Sequence, residues 1–240
     1  MHRRMPRGEA SGIAIESNTF TSGKRRSGRI VKMHAEFIKS AAGKEGFPDT
    51  KLPEFAFVGR SNVGKSSLLN RLASANIART SKTPGRTQLV NFFRVRGKDF
   101  EFILADLPGY GFAKAPRPVR RAWYSLLEVY LAERKPLRAV LQLIDLRREV
   151  EEEDLQVHHW LTGAREDDGE GGLERDVLVV GTKADKLSKA HRKPRLKHLG
   201  ETLGMGRENM LLCSSLQNLG VESLRQTLSE MSRIENGPRD

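Results

Sequence analysis

From about residue 30 onward, short apolar runs alternate with longer stretches in which apolar residues recur at helical spacing. The runs at 55–58, 139–144, 176–180 and 210–213 are nearly continuous in Val, Leu, Ile, Phe and Ala, as expected of strands buried on both faces. Between them lie helical patterns: one to about Ala73, one over 119–134, one over 149–161 with an acidic first turn, one over 188–203 and one over 220–233. In the second of these, Trp123, Leu126, Leu127, Tyr130 and Leu131 form one stripe, closed by Pro136, and the stripe reads as core. Residues 89–95 and 100–105 are two strands joined by a four-residue turn, so they should pair antiparallel. An earlier strand is expected over 30–38, where β-branched and polar residues mix. Strands alternating with helices predict an α/β sheet, mostly parallel, with one antiparallel hairpin pair.

The periods fail in four places. Residues 1–30 are poor in large apolar groups and carry Gly23-Lys24-Arg25-Arg26-Ser27-Gly28-Arg29, which predicts a disordered basic extension, and translation could start nearer Met33. Residues 74–86 end in Thr83-Pro84-Gly85 and predict a loop able to act as a switch. Residues 163–175, acidic and glycine-rich, predict a flexible insertion, and 234–240 a short tail. A chain of 240 residues then holds one domain over 31–233. No apolar run approaches the roughly 18 to 20 residues that span a bilayer, so no membrane role is expected. Cys213 is the only cysteine, so no intramolecular disulfide can form and a reducing cytoplasm suits the chain. A net charge of +12 changes the expected partners rather than the fold: it suits phosphate backbones, RNA in particular, although it also serves solubility alone.

The chemistry starts at Gly59-Arg60-Ser61-Asn62-Val63-Gly64-Lys65-Ser66, set between the 55–58 strand and a helix. The spacing fits G-x-x-x-x-G-K-[ST]: glycines that turn the backbone so its N–H groups face phosphate oxygens, a lysine for the β and γ phosphates, and a hydroxyl for Mg2+. A strand-to-helix turn that binds nothing has the same outline, but here strand, helix and full spacing agree. Asp106-Leu107-Pro108-Gly109 follows a strand, where an open α/β sheet places ligand groups, and supplies a Mg2+-associated carboxylate and a glycine N–H for the γ-phosphate. Thr182-Lys183-Ala184-Asp185 follows another strand. A carboxylate there accepts both the N1–H and the N2 amine of guanine, a donor pair that adenine lacks. The Lys183 stem can lie over the base plane, and Ser215 can present its N–H to the guanine O6.

With Thr83-Pro84-Gly85-Arg86-Thr87-Gln88, Asn91-Phe92-Phe93, Asp106-Leu107-Pro108-Gly109-Tyr110-Gly111, Lys186-Leu187 and Ser214-Ser215-Leu216 added to the phosphate loop, the chain resembles the EngB family of bacterial ribosome-assembly GTPases over about residues 31–233. The resemblance implies a three-layer P-loop GTPase domain, with one antiparallel edge strand and helices on both faces. It implies nucleotide contacts from Gly59, Arg60, Ser61, Asn62, Val63, Gly64, Lys65, Ser66 and Ser67, then from Gly85, Arg86, Thr87, Gln88 and Leu89. Further contacts come from Asp106, Leu107, Pro108 and Gly109, from Thr182, Lys183, Ala184 and Asp185, and from Cys213, Ser214 and Ser215. Lys65, Thr87 and Gly109 carry the catalytic roles; Ser66 and Thr87 ligate Mg2+ directly, and Asp106 does so through water. The implied function is a GTP-controlled switch in late assembly of the large ribosomal subunit, linked to division and septation, in a protein expected to be a monomer.

Three features depart from the family: 145–150 lacks the usual His and Pro, and the 1–30 and 163–175 segments are additional. Tyr110 stands where many GTPases carry a water-positioning glutamine, so slow hydrolysis is expected, aided by a cation or by the ribosomal partner. Asn62 suggests potassium as that cation; equal rates in sodium and potassium would end the idea. The alternative function is a guanine-nucleotide-dependent RNA-binding module with little catalysis. A free-standing phosphotransferase lacks a second small-molecule motif, and a trafficking G protein would need a C-terminal cysteine for lipidation.

Overall fold

Seven strands form one sheet in the order β1-β3-β4-β2-β5-β6-β7 in a computed structural model that describes residues 31–78, 89–111, 116–163 and 175–233. The strands are β1 (His34–Ala41), β2 (Glu54–Gly59), β3 (Val90–Arg96), β4 (Glu101–Asp106), β5 (Leu137–Asp145), β6 (Asp176–Thr182) and β7 (Met210–Leu212). The helices are α1 (Lys65–Ala73), α2 (Arg117–Glu133), α3 (Glu152–Gly163), α4 (Lys189–Leu203) and α5 (Val221–Arg233). β4, β2, β5, β6 and β7 are parallel neighbours, as buried strands joined through helices should be. β3 runs against β4, and β1 runs against β3, so the antiparallel part forms one edge of the sheet as expected.

Alternation along each strand feeds two cores. Phe55 and Phe57 of β2 pack with Leu68, Leu69 and Leu72 of α1 and with Leu224 and Leu228 of α5. Ala56 and Val58 face the opposite way, toward Leu127, Tyr130 and Leu131 of α2 and Val157 and Leu161 of α3. α4 adds Leu196, Leu199 and Leu203 over Ile144 and Val179. The stripe read from Trp123 to Leu131 is therefore core, with Trp123 half-buried at its start.

Two details fix α2 and α3. Glu54 is fully buried and accepts from Tyr130 Oη at 2.5 Å, Arg134 Nε at 2.9 Å and an Arg134 terminal nitrogen at 2.7 Å. That bidentate pair pins the C-terminal end of α2 to the foot of β2. α3 starts later than residue 149, because Asp154 reaches back to accept from the Glu151 N–H at 3.1 Å, capping the helix there.

Candidate functional site

The C-terminal ends of the parallel strands carry the sequence-predicted residues. Gly59 ends β2 against β5: a Cβ there would lie 2.9 Å from the Leu143 carbonyl oxygen and 3.0 Å from Val63 Cγ1, so only glycine fits. Asn62 (φ 63°) and Gly64 (φ 108°) then take left-handed backbone, which glycine adopts freely and asparagine more readily than most residues. These turns deliver the chain into α1, whose first N–H groups have no partner within the helix and form an anion-binding end. The Lys65 ammonium pairs with Asp106, and the two side chains are 11% and 8% exposed. Ser66 follows in the first turn of α1, and Ser67 is exposed.

The Asp106–Gly109 loop is stitched to this turn. The Ser61 N–H donates to the Tyr110 carbonyl at 2.8 Å, and the Tyr110 N–H donates to the Gly59 carbonyl at 3.3 Å. The two loops thus continue the sheet past its strand ends, with Arg60 opposite Tyr110. The contact is tight at Gly109, where a Cβ would lie 3.0 Å from Ser61 Oγ and 3.2 Å from Ser61 N and would push the two loops apart by a few tenths of an ångström. Leu107 is buried, its N–H bonded to the Phe57 carbonyl at 3.1 Å, so it supports the loop from below. Arg60 itself reaches outward to Glu151 at 2.9 Å and Glu153 at 3.6 Å.

The end assigned to the base is equally tied. Thr182 Oγ1 donates to the Val63 carbonyl at 2.8 Å, joining β6 to the phosphate loop. Lys183, left-handed at φ 57°, sends its ammonium to the Asn62 carbonyl at 2.6 Å and to Asp145 at 3.0 Å. Its stem therefore spans from base loop to phosphate loop. The Ala184 N–H bonds the Cys213 carbonyl at 3.2 Å, and Ser214 Oγ donates to Asp185 Oδ1 at 2.6 Å, so the carboxylate is oriented by the neighbouring loop. Ser215 accepts from Arg71 Nε at 2.7 Å through its carbonyl, which leaves its N–H unused by that contact. Cys213 lies buried, and burial pushes its thiol up to about 12, so its part in the site is its main chain.

Three supporting residues were not assigned to the site from the sequence. Asp145 ends β5 and accepts from Arg147 and Lys183; burial raises its pKa, but these bonds prevail and hold it at about 2. A carboxylate at a strand end, as at Asp106, was the available signal. The other two, Trp123 and Asp154, hold the Asp106–Gly109 loop from its far side. Trp123 Nε1 donates to the Pro108 carbonyl at 2.7 Å, and the Trp123 and Tyr110 rings lie 5.4 Å apart. Tyr110 Oη donates to Asp154 Oδ1 at 2.7 Å in a buried contact. Burial raises the Asp154 pKa against the lowering by this hydroxyl, and burial likewise raises Tyr110 well above 10. Gln142 continues the network, donating to the Asp154 carbonyl at 3.0 Å and meeting His158 Nδ1 at 2.7 Å.

Tyr110 thus occupies the sequence position of a water-positioning glutamine while its side chain is an internal brace. Tyr110→Phe keeps the ring packing and leaves a buried carboxylate oxygen without its donor. A loss of about 1–3 kcal/mol in folding stability is expected, read as a lower midpoint of urea unfolding; an unchanged midpoint would contradict the brace.

Gly85, Arg86, Thr87 and Gln88 lie outside the described residues, as do the 1–30 extension, residues 164–174 and the 234–240 tail. Leu89 is exposed just before β3, whose register sets Asn91 opposite Asp106.

The chain is similar to known proteins. The family model described as 50S ribosome-binding GTPase matches residues 54–183. A probable GTP-binding protein EngB of Geotalea daltonii is 44% identical over 203 residues, covering 84% of this chain and 92% of its own. One from Syntrophotalea carbinolica is 46% identical over 204 residues, covering 84% and 93%. Among solved structures, a probable GTP-binding protein engB aligns with a TM-score of 0.56 at 22% identity, over 75% of this chain and 98% of that one. Era in complex with MgGDPNP and nucleotides 1506-1542 of 16S ribosomal RNA aligns at 0.59 and 22% identity, over 78% of this chain and 58% of that one. At such identities the structural likenesses establish the fold.

Proposed function

The chain belongs to the EngB family of GTP-binding proteins, and from that premise we propose that this GTPase is a nucleotide-gated switch in late assembly of the large ribosomal subunit. It would act in the cytoplasm as a monomer, at a step on which normal division and septation depend. The observation that carries the gating is the pair of main-chain bonds between Gly59, Ser61 and Tyr110. Because they join the phosphate loop to the Asp106–Gly109 loop, a change at the terminal phosphate is felt by both loops together. The family description and the charge of +12 support a ribosomal partner over a small-molecule one.

In this reading Lys65 leaves Asp106 for the β and γ phosphates, Gly109 offers its N–H to the γ-phosphate, and Asp185 accepts from guanine. Ser66 and Asp106 are hard oxygen donors set beside Lys65, a donor set that fits Mg2+, and Thr87 would complete it. Bound there, Mg2+ supplies positive charge to the phosphate oxygens. Intrinsic hydrolysis is slow, since Tyr110 is held by Asp154 rather than free to orient water. Asn62 remains the residue through which potassium would act, although its left-handed backbone already accounts for an asparagine there.

Sedimentation of the protein with large ribosomal subunits tests the switch, in GDP, a non-hydrolysable GTP analogue and an ATP analogue. Co-sedimentation with the GTP analogue alone, surviving moderate salt, is expected. Binding indifferent to nucleotide and lost with salt would reduce the function to charge-driven RNA binding.

A further inference from the structure

Arg117 and Arg120 stand exposed in the first turn of α2, and Arg121 stands exposed at the start of the second. Spaced i, i+3 and i+4, they share one face of the helix. None of the three forms an ion pair among the described residues; the Arg120 charge only offsets part of the rise in the Tyr124 pKa that burial and Glu153 cause. Their position works against the helix: α2 has no acidic residue in its first turn, so two cations sit at the positive end of its dipole with a third directly behind them. α3 shows the opposite and favourable pattern, opening on Glu152, Glu153 and Asp154. Helix stability therefore gives no account of the arginines, whereas an anionic partner does.

The face fits a phosphate backbone. Guanidinium forks bind phosphate in bidentate fashion, and several on one face can follow successive groups of one strand. Pro118 and Ala122 are the exposed apolar residues among them, small side chains that give too little area for the apolar centre of a protein interface or for membrane insertion.

The same helix is wired to the nucleotide. Its C-terminal end is pinned through Tyr130 and Arg134 to Glu54, while near its start Trp123 Nε1 holds the Pro108 carbonyl, one residue before Gly109. Movement of the Asp106–Gly109 loop must therefore be taken up at the arginine-bearing end of α2.

We propose that the Arg117, Arg120 and Arg121 face of α2 binds the RNA phosphate backbone of the large subunit, and that the Pro108–Trp123 hydrogen bond carries the nucleotide state to it. The proposal rests on the ribosomal function proposed above, and the test separates the two. Full-length parent and the Arg117→Gln/Arg120→Gln/Arg121→Gln variant are titrated with large ribosomal subunits and with protein-free large-subunit RNA, in GDP and in a non-hydrolysable GTP analogue, across a salt series. The variant should bind both at least tenfold more weakly in the GTP-analogue state, with a salt slope lower by roughly 2 to 3 for three lost phosphate contacts. GTP affinity and ribosome-free hydrolysis should match the parent, and Arg121→Gln alone should give about a third of the slope change.

Parent-like binding and slope in the triple variant would overturn the contact while leaving the ribosomal function standing. A parent that binds no subunits in any nucleotide state would instead overturn the ribosomal function. Loss on subunits with no parental binding to protein-free RNA would assign the face to an acidic ribosomal protein and overturn the RNA assignment. Trp123→Phe keeps an aromatic ring, though a smaller one, and removes the N–H; it should shrink the ratio of GTP-state to GDP-state affinity at unchanged salt slope. A parental ratio would overturn the coupling.

Discussion

Lys65→Ala is expected to weaken GTP binding by about 3 kcal/mol, a factor on the order of 100, because in the proposed site it would remove charge-assisted bonds to two phosphates at once. The structure adds a second consequence. Without nucleotide the ammonium is the counter-charge of Asp106, and both side chains are largely shielded from water. Removing it leaves the carboxylate unpaired, and breaking a fully buried pair costs about 3–5 kcal/mol; at 8% exposure the value for Asp106 should fall toward the lower end. The two losses separate in the double variant Lys65→Ala/Asp106→Asn. Its melting temperature should recover toward the parent's, while its affinity for a fluorescent GTP analogue should not. A single variant that binds GTP within threefold of the parent would remove Lys65 from the phosphate site.

The Lys65–Asp106 pair also shows what the sequence could and could not disclose. Both residues were legible because their chemistry is fixed by local spacing, a glycine-bounded turn for one and a strand end for the other. The helices were legible for the same kind of reason: the stripe from Trp123 to Leu131 repeats at 3.6 residues whatever it packs against. The partners of these groups were not legible. Tyr110 and Asp154 are 44 positions apart and Thr182 and Val63 are 119 apart, and no local pattern encodes such a meeting. Tyr110 is the instructive case. Read by position it replaces a catalytic glutamine; read by contacts it is the residue that couples the Gly109 loop to α3. The boundary of α3 was missed for a related reason, since Asp154 looks like one of several acids favoured by the helix dipole and only its bond to the Glu151 N–H shows where the helix begins.

Asp185→Asn should lower GTP affinity by roughly 3–4 kcal/mol, about two to three orders of magnitude, while raising affinity for xanthosine triphosphate. A carboxylate accepts from both guanine donors, but an amide places an NH2 group against one of them. Ser214 determines which. Its hydroxyl donates to Oδ1 at 2.6 Å while its oxygen accepts from the Gln217 N–H at 3.1 Å, so the amide oxygen of the variant is favoured on that side; in the proposed pose the NH2 group then takes the Oδ2 position and meets the base substituent that is an amine in guanine and a carbonyl oxygen in xanthine. The Ser214→Ala change should therefore act on the switch in specificity more than on the parent. In the parent both oxygens are acceptors whichever way the carboxylate turns, so the loss of GTP affinity should be about 1 kcal/mol. In the Asp185→Asn background the amide is freed to flip, and the preference for xanthosine triphosphate should shrink by a comparable amount. Competition of both triphosphates against a fluorescent GDP analogue, in the four proteins of this cycle, measures each term. If Asp185→Asn bound GTP as the parent does and still excluded xanthosine triphosphate, the base would have to be read by some other group than the carboxylate at the end of β6.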